Sequence, residues 1–369
     1  MRVLLLTDDM FGVCERALLE RLHVGLSNEG FDVHLAVPEH LALTGMFDLL
    51  NVAHGYRHTR LTPVRRLVAQ RLSEELVGGD DQELSVVHAF GGDSWDLAFD
   101  IAALTGAVVV LELWRVGLVS RLRGLRPRRG VRFVAVVPDR TMEREVLKDS
   151  HGIGVRITPW GGVVAPERTK IFREGREVGL AMIGNGGDIA NVRAAFDGIA
   201  PILSGRDDTM LFVDAVACQR AGLWKRARQF DVRDRVSVID HMEDRRDLIL
   251  RCDVLLSPEA RGEHRTILLD ALGAALPVVC RSDESIELLQ TPGITVRVMA
   301  STAQLWTEAV GSLLEDPAQA RQMGEAARQH ISEHQRWSKY VATVTDVYEW
   351  VTRSASASEA SAPASGAGS

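Results

Sequence analysis

The sequence predicts an α/β protein made of two Rossmann-like domains, each a doubly wound parallel sheet, that face each other. Short apolar runs typical of buried strands alternate with segments of helical periodicity along most of the 369 residues. This alternation indicates βαβ units, which build parallel sheets with helices on both faces. The pattern stops in a turn-rich, charged interval at residues 159–177 and then begins again. A single interruption between two sets of strands indicates two domains.

The first set of apolar runs begins almost at the N-terminus, followed by a helical segment at residues 15–27. Since no basic segment precedes an apolar core there, we expect no secretory signal peptide. The predicted strands of the first domain are residues 3–6, 33–37, 86–90, 108–113 and 133–137.

The second set supplies six further strands. Because ligands of such sheets bind at the carboxyl ends of the strands, two sheets joined by one linker predict a binding cleft. The predicted strands of the second domain are residues 178–183, 210–213, 236–239, 254–256, 278–280 and 294–296.

A final helix is predicted from about residue 336, because apolar side chains recur there at helical spacing. Beyond Arg353 the chain is rich in Ser and Ala, which predicts a solvated tail. The predicted organisation is an N-terminal domain over residues 1–162, a C-terminal domain over 163–334, a helix over 335–353 and a disordered tail over 354–369.

Composition excludes several classes of protein. A net charge of −7 gives no general attraction to nucleic acid, so we expect no nucleic-acid partner. The four cysteines are far apart in sequence, which predicts neither a disulfide framework nor a cysteine zinc site and fits a reducing cytoplasm. No apolar run approaches the length of a membrane span.

Residues 257–280 contain the strongest functional signal. A strand end and a turn lead into a predicted helix whose first turn carries Glu263, His264, Arg265 and Thr266. The N-terminus of a helix and an arginine together suit a phosphate or diphosphate. Asp270 lies about two turns after Glu263, so we expect both carboxylates near one helix face. The alternative to a ligand site is that Glu263, Arg265 and Asp270 are solvent-facing charges on a turn that caps the helix.

Two glycine-containing turns follow other predicted strands. Gly184, Gly186 and Gly187 suit close approach of the backbone to phosphate, although a plain strand-to-helix turn fits equally well. In the first domain, Gly91, Gly92 and Asp93 follow residues 86–90, and there Asp93 is either a helix N-cap or a ligand contact. His241 ends the predicted strand at 236–239; a histidine satisfied within the protein is the simpler interpretation of it.

The segment at 257–280 resembles the acidic motif of the family 4 (group 1) retaining glycosyltransferases, which have the GT-B fold. In that family a Pro-Ser loop precedes Glu-Gly-Phe-Gly, a few apolar residues, Glu-Ala-Met-Ala and Pro-Val-Val. The second part is similar to residues 270–272 and 277–279, and the resemblance covers the whole chain to about Val351. In the resembled fold the last helix crosses back onto the first domain.

The chain departs from the family pattern in four respects. Gly262 stands where the first Glu is expected, Asp270 replaces the second Glu, and Trp114 replaces a histidine. The family also places an Arg and a Lys after the first strand of the C-terminal domain, whereas residues 184–188 contain no cation. These departures put activity in doubt more than fold.

The resemblance implies a hexosyltransferase that uses a nucleotide sugar as donor substrate, with no metal and no other cofactor, and a glycan or lipid-linked acceptor. It implies Glu263 or Glu259 at the sugar as catalytic residues, and Asp270 at the ribose. The alternative is a degenerate, non-catalytic relative that binds a nucleotide or glycan. The implied site residues are Arg265, Thr266, Asp270, Gly184, Gly186, Gly187 and His241 for the donor, and Gly91, Gly92, Asp93 and Arg115 on the acceptor side.

Residues 115–132 form an arginine-rich stretch in which leucine and valine are interleaved. A solvated surface is the default interpretation, and contact with an anionic acceptor or with an anionic membrane at its cytoplasmic face is the rival.

Overall fold

The computed structural model describes residues 1–44, 47, 53–77, 83–126, 128–148, 153–242 and 245–360, with side chains to Arg353, and divides them into two compact units. The first unit comprises Met1–Pro159 together with the C-terminal helix, and the second is Trp160–Trp337. The boundaries expected from sequence, near residues 162 and 335, lie within a few residues of these.

In the first unit, seven parallel strands form one sheet in the order β3-β2-β1-β4-β5-β6-β7. Its strands are β1 (Arg2–Thr7), β2 (Asp32–Pro38), β3 (Ala53–Tyr56), β4 (Leu84–Phe90), β5 (Val108–Glu112), β6 (Phe133–Val137) and β7 (Val155–Ile157). Its helices are α1 (Asp9–Cys14), α2 (Arg16–Asn28), α3 (Glu39–Leu43), α4 (Thr62–Val77), α5 (Trp95–Thr105), α6 (Gly117–Arg123) and α7 (Arg140–Leu147).

In the second unit, six parallel strands follow the same pattern, β10-β9-β8-β11-β12-β13. The strands are β8 (Val178–Met182), β9 (Thr209–Asp214), β10 (Val236–Ile239), β11 (Val254–Ser257), β12 (Val278–Arg281) and β13 (Val296–Val298). The helices are α8 (Ile189–Gly205), α9 (Ala215–Ala221), α10 (Leu223–Gln229), α11 (Arg246–Ile249), α12 (Thr266–Gly273), α13 (Glu287–Gln290), α14 (Ala303–Glu315), α15 (Pro317–His334) and, returning to the first unit, α16 (Trp337–Ala360).

The strand order places one switch point in each sheet. In the first sheet the order reverses between β1 and β4, and in the second between β8 and β11. Chain leaving the carboxyl ends of these neighbouring strands turns to opposite faces of the sheet, which opens a crevice for ligands. The predicted doubly wound α/β fold is confirmed.

The central strands are buried because helices cover both faces of each sheet. β1 and β8 are buried along their whole length, which explains why they appear in the sequence as continuous apolar runs without alternation. Sequence reasoning missed β3 and β7, the two edge strands of the first sheet. Both are short, and β3 contains His54 and Gly55, so neither gives an apolar run.

α16 extends further than predicted, since the helix continues to Ala360, into the segment expected to be a disordered tail. Ser and Ala residues without Gly or Pro extend an existing helix at little cost, because nucleation is the unfavourable step. Its apolar face packs on the first unit, and the buried residues are Tyr340, Val341, Val344, Val347, Tyr348 and Val351.

A buried polar chain fastens α16 to the first sheet. The Tyr348 hydroxyl lies 2.6 Å from His88 Nδ1, and His88 Nε2 lies 3.2 Å from a Glu112 carboxylate oxygen. All three side chains are buried. His88 is therefore a buried histidine held within the protein, hydrogen-bonded through Nδ1 and facing a carboxylate through Nε2.

Among the described helices, none combines the length and the apolar character needed to cross a bilayer.

We expect Tyr348→Phe to lower the free energy of unfolding by about 1–3 kcal/mol, because it leaves the buried His88 Nδ1 without its hydroxyl partner. Denaturant-induced unfolding measures the change. Asp346→Asn, an exposed position on the same helix, is the control and should change stability by less than about 0.5 kcal/mol. Equal stability of Tyr348→Phe and the unmodified protein would refute the role of the hydroxyl.

Stability should also depend on pH through His88. Burial lowers the pKa of His88 below its ordinary value. Below about pH 6.5 the unfolded chain takes up a proton at this site that the folded protein binds more weakly, so stability falls as the pH decreases through that value. Unfolding midpoints at a series of pH values should show a steeper acid decline for the unmodified protein than for His88→Gln; parallel curves would disprove this.

Candidate functional site

The carboxyl ends of β8 and β11 form a pocket at the switch point of the second sheet. After β8 the chain enters the glycine loop, defined here as residues 184–188, and after β11 it enters residues 258–265. The two segments border a small pocket with a free volume of about 20 Å³. The polar and charged side chains that line it are Ser257, Glu259, Arg261, Glu263 and Arg265.

Glu259 holds the glycine loop in place. One carboxylate oxygen accepts the N–H of Asn185 at 2.8 Å, and the other accepts the N–H of Asp188, also at 2.8 Å. These donors precede α8, where backbone N–H groups have no partner within the helix. The carboxylate thus occupies the donors that such a loop offers to a phosphate.

The glycines of this loop allow charged side chains to approach closely. A Cβ atom at Gly184 would lie 2.7 Å from a Glu259 oxygen, and one at Gly186 would lie 2.8 Å from Arg220 Cβ. A Cβ at Gly187 would collide with the Arg261 guanidinium. The three glycines therefore admit protein side chains rather than leave open space.

Two arginines supply the cations that are missing from the loop itself. Arg220 at the end of α9 donates to the Asn185 carbonyl at 3.1 Å, and Arg261 lies against Gly187. Both side chains are exposed. Sequence reasoning missed them because they belong to other segments; only the close packing of β8, α9 and the turn after β11 brings them to the loop.

Gly262 has a left-handed backbone conformation, with φ of 63°. Its N–H donates to an Asp283 carboxylate oxygen at 2.6 Å. A glutamate at this position, as in the resembled family, would be strained in that conformation. The backbone conformation of this turn therefore favours glycine at position 262.

α12 begins at Thr266, with Arg265 as its N-cap residue, and not at Glu263. The expectation that Glu263 and Asp270 share a helix face is therefore wrong. The turn at Gly262 delays the helix, so that Glu263 belongs to the loop that borders the pocket. Arg265 is buried and also lines the pocket, beside the positive end of the α12 dipole.

Glu263 has unused hydrogen-bonding capacity. The residue is 8% exposed, and its Oε1 accepts no hydrogen bond from the described part of the chain. Arg261 Nε lies 3.7 Å from that oxygen, beyond hydrogen-bond distance. Buried carboxylate oxygens normally have a donor, so this one is suited to a hydroxyl group of a ligand.

Asp270 is buried and engaged by protein groups. One oxygen accepts the N–H of Val163 at 3.1 Å, and the other forms an ion pair with Arg246, which also donates to the Thr266 hydroxyl at 2.8 Å. Arg246 thereby fixes the start of α12. Sequence reasoning missed Arg246, which lies 24 positions before Asp270. The predicted ribose contact of Asp270 stays a prediction.

His241 lies apart from these residues. It follows β10, which β9 separates from β8, so roughly 10 Å of sheet lies between its strand and the glycine loop. Its side chain is exposed, and the Asp240 carboxylate lies 4.0 Å from it. The structure does not bring His241 to the pocket.

The first unit repeats the arrangement at its own switch point. Asp8, directly after β1, accepts the N–H of Phe11 at 2.9 Å and that of Asp93 at 3.1 Å. Gly91, with φ of 86°, leaves no room for a Cβ beside this carboxylate. Burial raises the pKa of Asp8, and the two backbone hydrogen bonds oppose that rise. Sequence reasoning missed Asp8, although its place at the end of the first strand was a usable signal.

The other residues predicted on the acceptor side lie close to this turn. Gly92 packs against the stem of Arg121, whose guanidinium pairs with Asp93 at 2.8 Å. Arg115 stacks on Trp114 at 5.5 Å from the ring centroid. Asp93 is thus neither a helix N-cap nor free of the protein.

The arginine-rich stretch does not present an amphipathic surface. Its apolar side chains Leu118, Val119 and Leu122 are buried on the inner face of α6. Arg121 pairs with Asp93, and Arg128 pairs with Asp100. Packing of α6 thus buries the apolar side chains of this helix, and contact of the exposed arginines with an anionic acceptor or membrane stays a prediction.

Within the described residues, no three His, Cys, Asp or Glu side chains lie together as a metal site.

Solved structures share this fold over nearly the full chain. Sucrose-phosphate synthase from Thermosynechococcus elongatus matches with a TM-score of 0.72 and 12% identity, covering 96% of this chain and 100% of that one. HepE from Anabaena, solved in complex with UDP and glucose, matches with a TM-score of 0.73 and 10% identity, covering 95% and 99%. A glycosyltransferase from Rickettsia africae matches with a TM-score of 0.71 and 12% identity, covering 95% and 98%. The fold is that of the GT-B glycosyltransferases.

Residues 216–346 match the sequence profile of a family described as glycosyl transferase-like. This match includes Arg220, Arg246 and the segment from Glu259 to Asp270, but not the glycine loop. No curated protein sequence matches the chain significantly.

We expect Arg246→Met to lower the free energy of unfolding by about 3–5 kcal/mol, because it leaves the buried Asp270 charge uncompensated. Adding Asp270→Asn should restore part of that loss. Arg245→Met, at an exposed neighbouring position, is the matched control and should be nearly neutral. Urea unfolding distinguishes the variants, and an Arg246→Met protein as stable as the control would disprove the pairing.

Proposed function

We propose that this protein is a glycosyltransferase that uses a nucleotide sugar as donor and transfers a hexose-type sugar with retention of configuration. The fold of GT-B glycosyltransferases and the glycosyl transferase-like profile at residues 216–346 support the reaction class. Among the structures of similar fold, HepE was solved with UDP-glucose. The cofactor-free reaction and the retaining course rest on the resemblance of residues 257–280 to the family 4 enzymes.

The observation that carries the proposal is the unused carboxylate oxygen of Glu263 in a pocket that also contains two arginines. A nucleotide sugar offers both complements, since its sugar hydroxyls donate hydrogen bonds and its diphosphate is an anion. Glu263 is therefore the candidate catalytic residue at the sugar. Glu259 is assigned a different role from the one expected, because both its oxygens hold the glycine loop.

The diphosphate is assigned to Arg265, Arg261 and the N-terminal end of α12. Glu259 occupies the N–H groups of Asn185 and Asp188, so the glycine loop contributes its shape rather than these donors. Arg220 adds positive charge on the other side of the same loop. These groups stabilise the charge that develops on a leaving diphosphate, which is the usual way to accelerate such a step.

In the proposed reaction the bond between the anomeric carbon and the diphosphate oxygen breaks. The electron pair stays with the nucleoside diphosphate, beside the arginines. An acceptor hydroxyl forms the new bond on the same face of the sugar, and its proton passes to the leaving phosphate. The acceptor, a glycan or a lipid-linked saccharide, is assigned to the turn at Gly91, Gly92 and Asp93, together with Arg115. Four free cysteines among the described residues agree with an enzyme of the cytoplasm.

We expect Arg265→Ala to weaken binding of UDP by about 1.5–3 kcal/mol, the typical contribution of a hydrogen bond to a charged group. Calorimetry measures the affinity, and a melting curve without ligand controls for loss of fold, since Arg265 is buried. Arg228→Ala, at an exposed arginine of α10, is the control. Unchanged UDP affinity in a folded Arg265→Ala protein would contradict this assignment.

Substitutions of Glu263 and Glu259 should have different effects, one on activity and the other on stability. Glu263→Gln is expected to reduce sugar transfer or donor hydrolysis by at least about 100-fold with an unchanged melting temperature, as for loss of a group that acts in the transition state. Glu259→Gln should lower stability by about 1–3 kcal/mol, since a glutamine offers one acceptor oxygen in place of two. If the unmodified protein binds UDP-sugars but neither transfers nor hydrolyses them, it is a non-catalytic binding protein.

A further inference from the structure

The start of α4 carries an isolated concentration of positive charge. Residues 57–73 contain five arginines and neither Asp nor Glu, although the chain has a net charge of −7. This segment follows the edge strand β3 and enters α4 at Thr62. Charge of one sign is thus collected on one short surface segment, while the protein as a whole is acidic.

Large apolar side chains lie in the same segment and face solvent. Leu61 is 67% exposed, Leu67 is 66% exposed and Val64 is 40% exposed. α4 buries its opposite face, where Ala69 and Leu72 pack against the first unit, so Leu67 points away from the protein. Single exposed leucines are common, but three apolar side chains within seven residues form a patch.

The arginines divide into paired and unpaired groups. Arg65 pairs with Asp100 at 2.9 Å, and Arg71 pairs with Glu75 at 3.3 Å. Arg57, Arg60 and Arg66 are exposed and form no ion pair with any described residue. Three arginines that form no ion pair within the described part of the chain therefore flank the three exposed apolar side chains.

This arrangement differs from the arginine-rich stretch at residues 115–132, where Leu118 and Leu122 are buried and Arg121 and Arg128 pair with Asp93 and Asp100. At the start of α4 the apolar and the basic side chains are exposed together. That combination is characteristic of segments that lie in the interface of an anionic bilayer, where apolar side chains enter the headgroup region and arginines contact lipid phosphates.

We propose that the α4 basic face, formed by Arg57, Arg60, Leu61, Val64, Arg66 and Leu67, binds the surface of an anionic lipid bilayer. The proposal does not depend on the transferase assignment. It identifies the bilayer by two complementary features, since the unpaired arginines match anionic headgroups and the exposed leucines match the apolar boundary beneath them. A polyanion in solution would use the arginines alone.

The full-length protein is tested by co-sedimentation with vesicles of phosphatidylglycerol and phosphatidylcholine, and with vesicles of phosphatidylcholine only. We expect binding to the anionic vesicles that weakens at high salt. Arg60→Gln with Arg66→Gln should weaken it roughly thirty-fold, from the typical worth of two basic residues at an anionic surface. Leu61→Ser with Leu67→Ser should weaken it roughly tenfold or more without a change in net charge.

Two controls make the outcome decisive. Arg126→Gln with Arg129→Gln removes the same charge from the arginine-rich stretch and should leave binding within about twofold. Melting temperatures of all variants should match that of the unmodified protein, because every substituted side chain is exposed. Absence of binding to anionic vesicles at low salt overturns the proposal. It is also overturned if the leucine variant binds normally, or if heparin binds while vesicles do not, since the surface would then recognise charge alone.

Discussion

A carboxylate that accepts backbone N–H groups across the switch point is the interaction on which both halves of the protein depend. In the second unit Glu259 follows β11 and holds the loop after β8 through two hydrogen bonds of 2.8 Å. In the first unit Asp8 follows β1 and holds the turn after β4. Backbone donors at strand-to-helix turns lack partners within their own elements, and a charged acceptor satisfies them strongly. Each carboxylate thereby fixes the crevice where ligands of such sheets bind.

Holding the glycine loop with a carboxylate changes the electrostatics of the crevice in the second unit. Glu259 brings a negative charge to a loop that would otherwise present bare donors to phosphate. Positive charge reaches the same crevice from other segments, as Arg220 from α9 and Arg261 and Arg265 from the turn before α12. The two glutamates of the pocket therefore differ in role. Glu259 uses both carboxylate oxygens to hold the glycine loop, whereas Glu263 Oε1 has no hydrogen-bond donor among the described residues. Arg246, paired with Asp270, secures the helix that supports this turn.

Much of the fold could be predicted from residue patterns. Buried central strands such as β1 and β8 appear as apolar runs, so their number and parallel arrangement followed from alternation with helices. Edge strands β3 and β7 could not be predicted, because a strand with one exposed edge needs no apolar run. The segment at 257–280 was correctly located at a strand end. The assignment of its glutamates was less successful, since the left-handed turn at Gly262 shifts the helix start to Thr266.

The sequence by itself determined the two-domain architecture, the strands that form both crevices and the segment that borders the candidate site, because these depend on local periodicity and on the burial that periodicity implies. Only the tertiary structure decided which charges meet. Arg246 reaches Asp270 and Arg220 reaches Asn185 across 24 and 35 positions of chain, and such distances carry no local signal. It also decided which leucines are exposed. Residues 115–132 and 57–71 both mix arginine with apolar residues, but α6 packs its leucines inward while the start of α4 leaves them in solvent. Packing against the rest of the fold makes that choice, and composition does not.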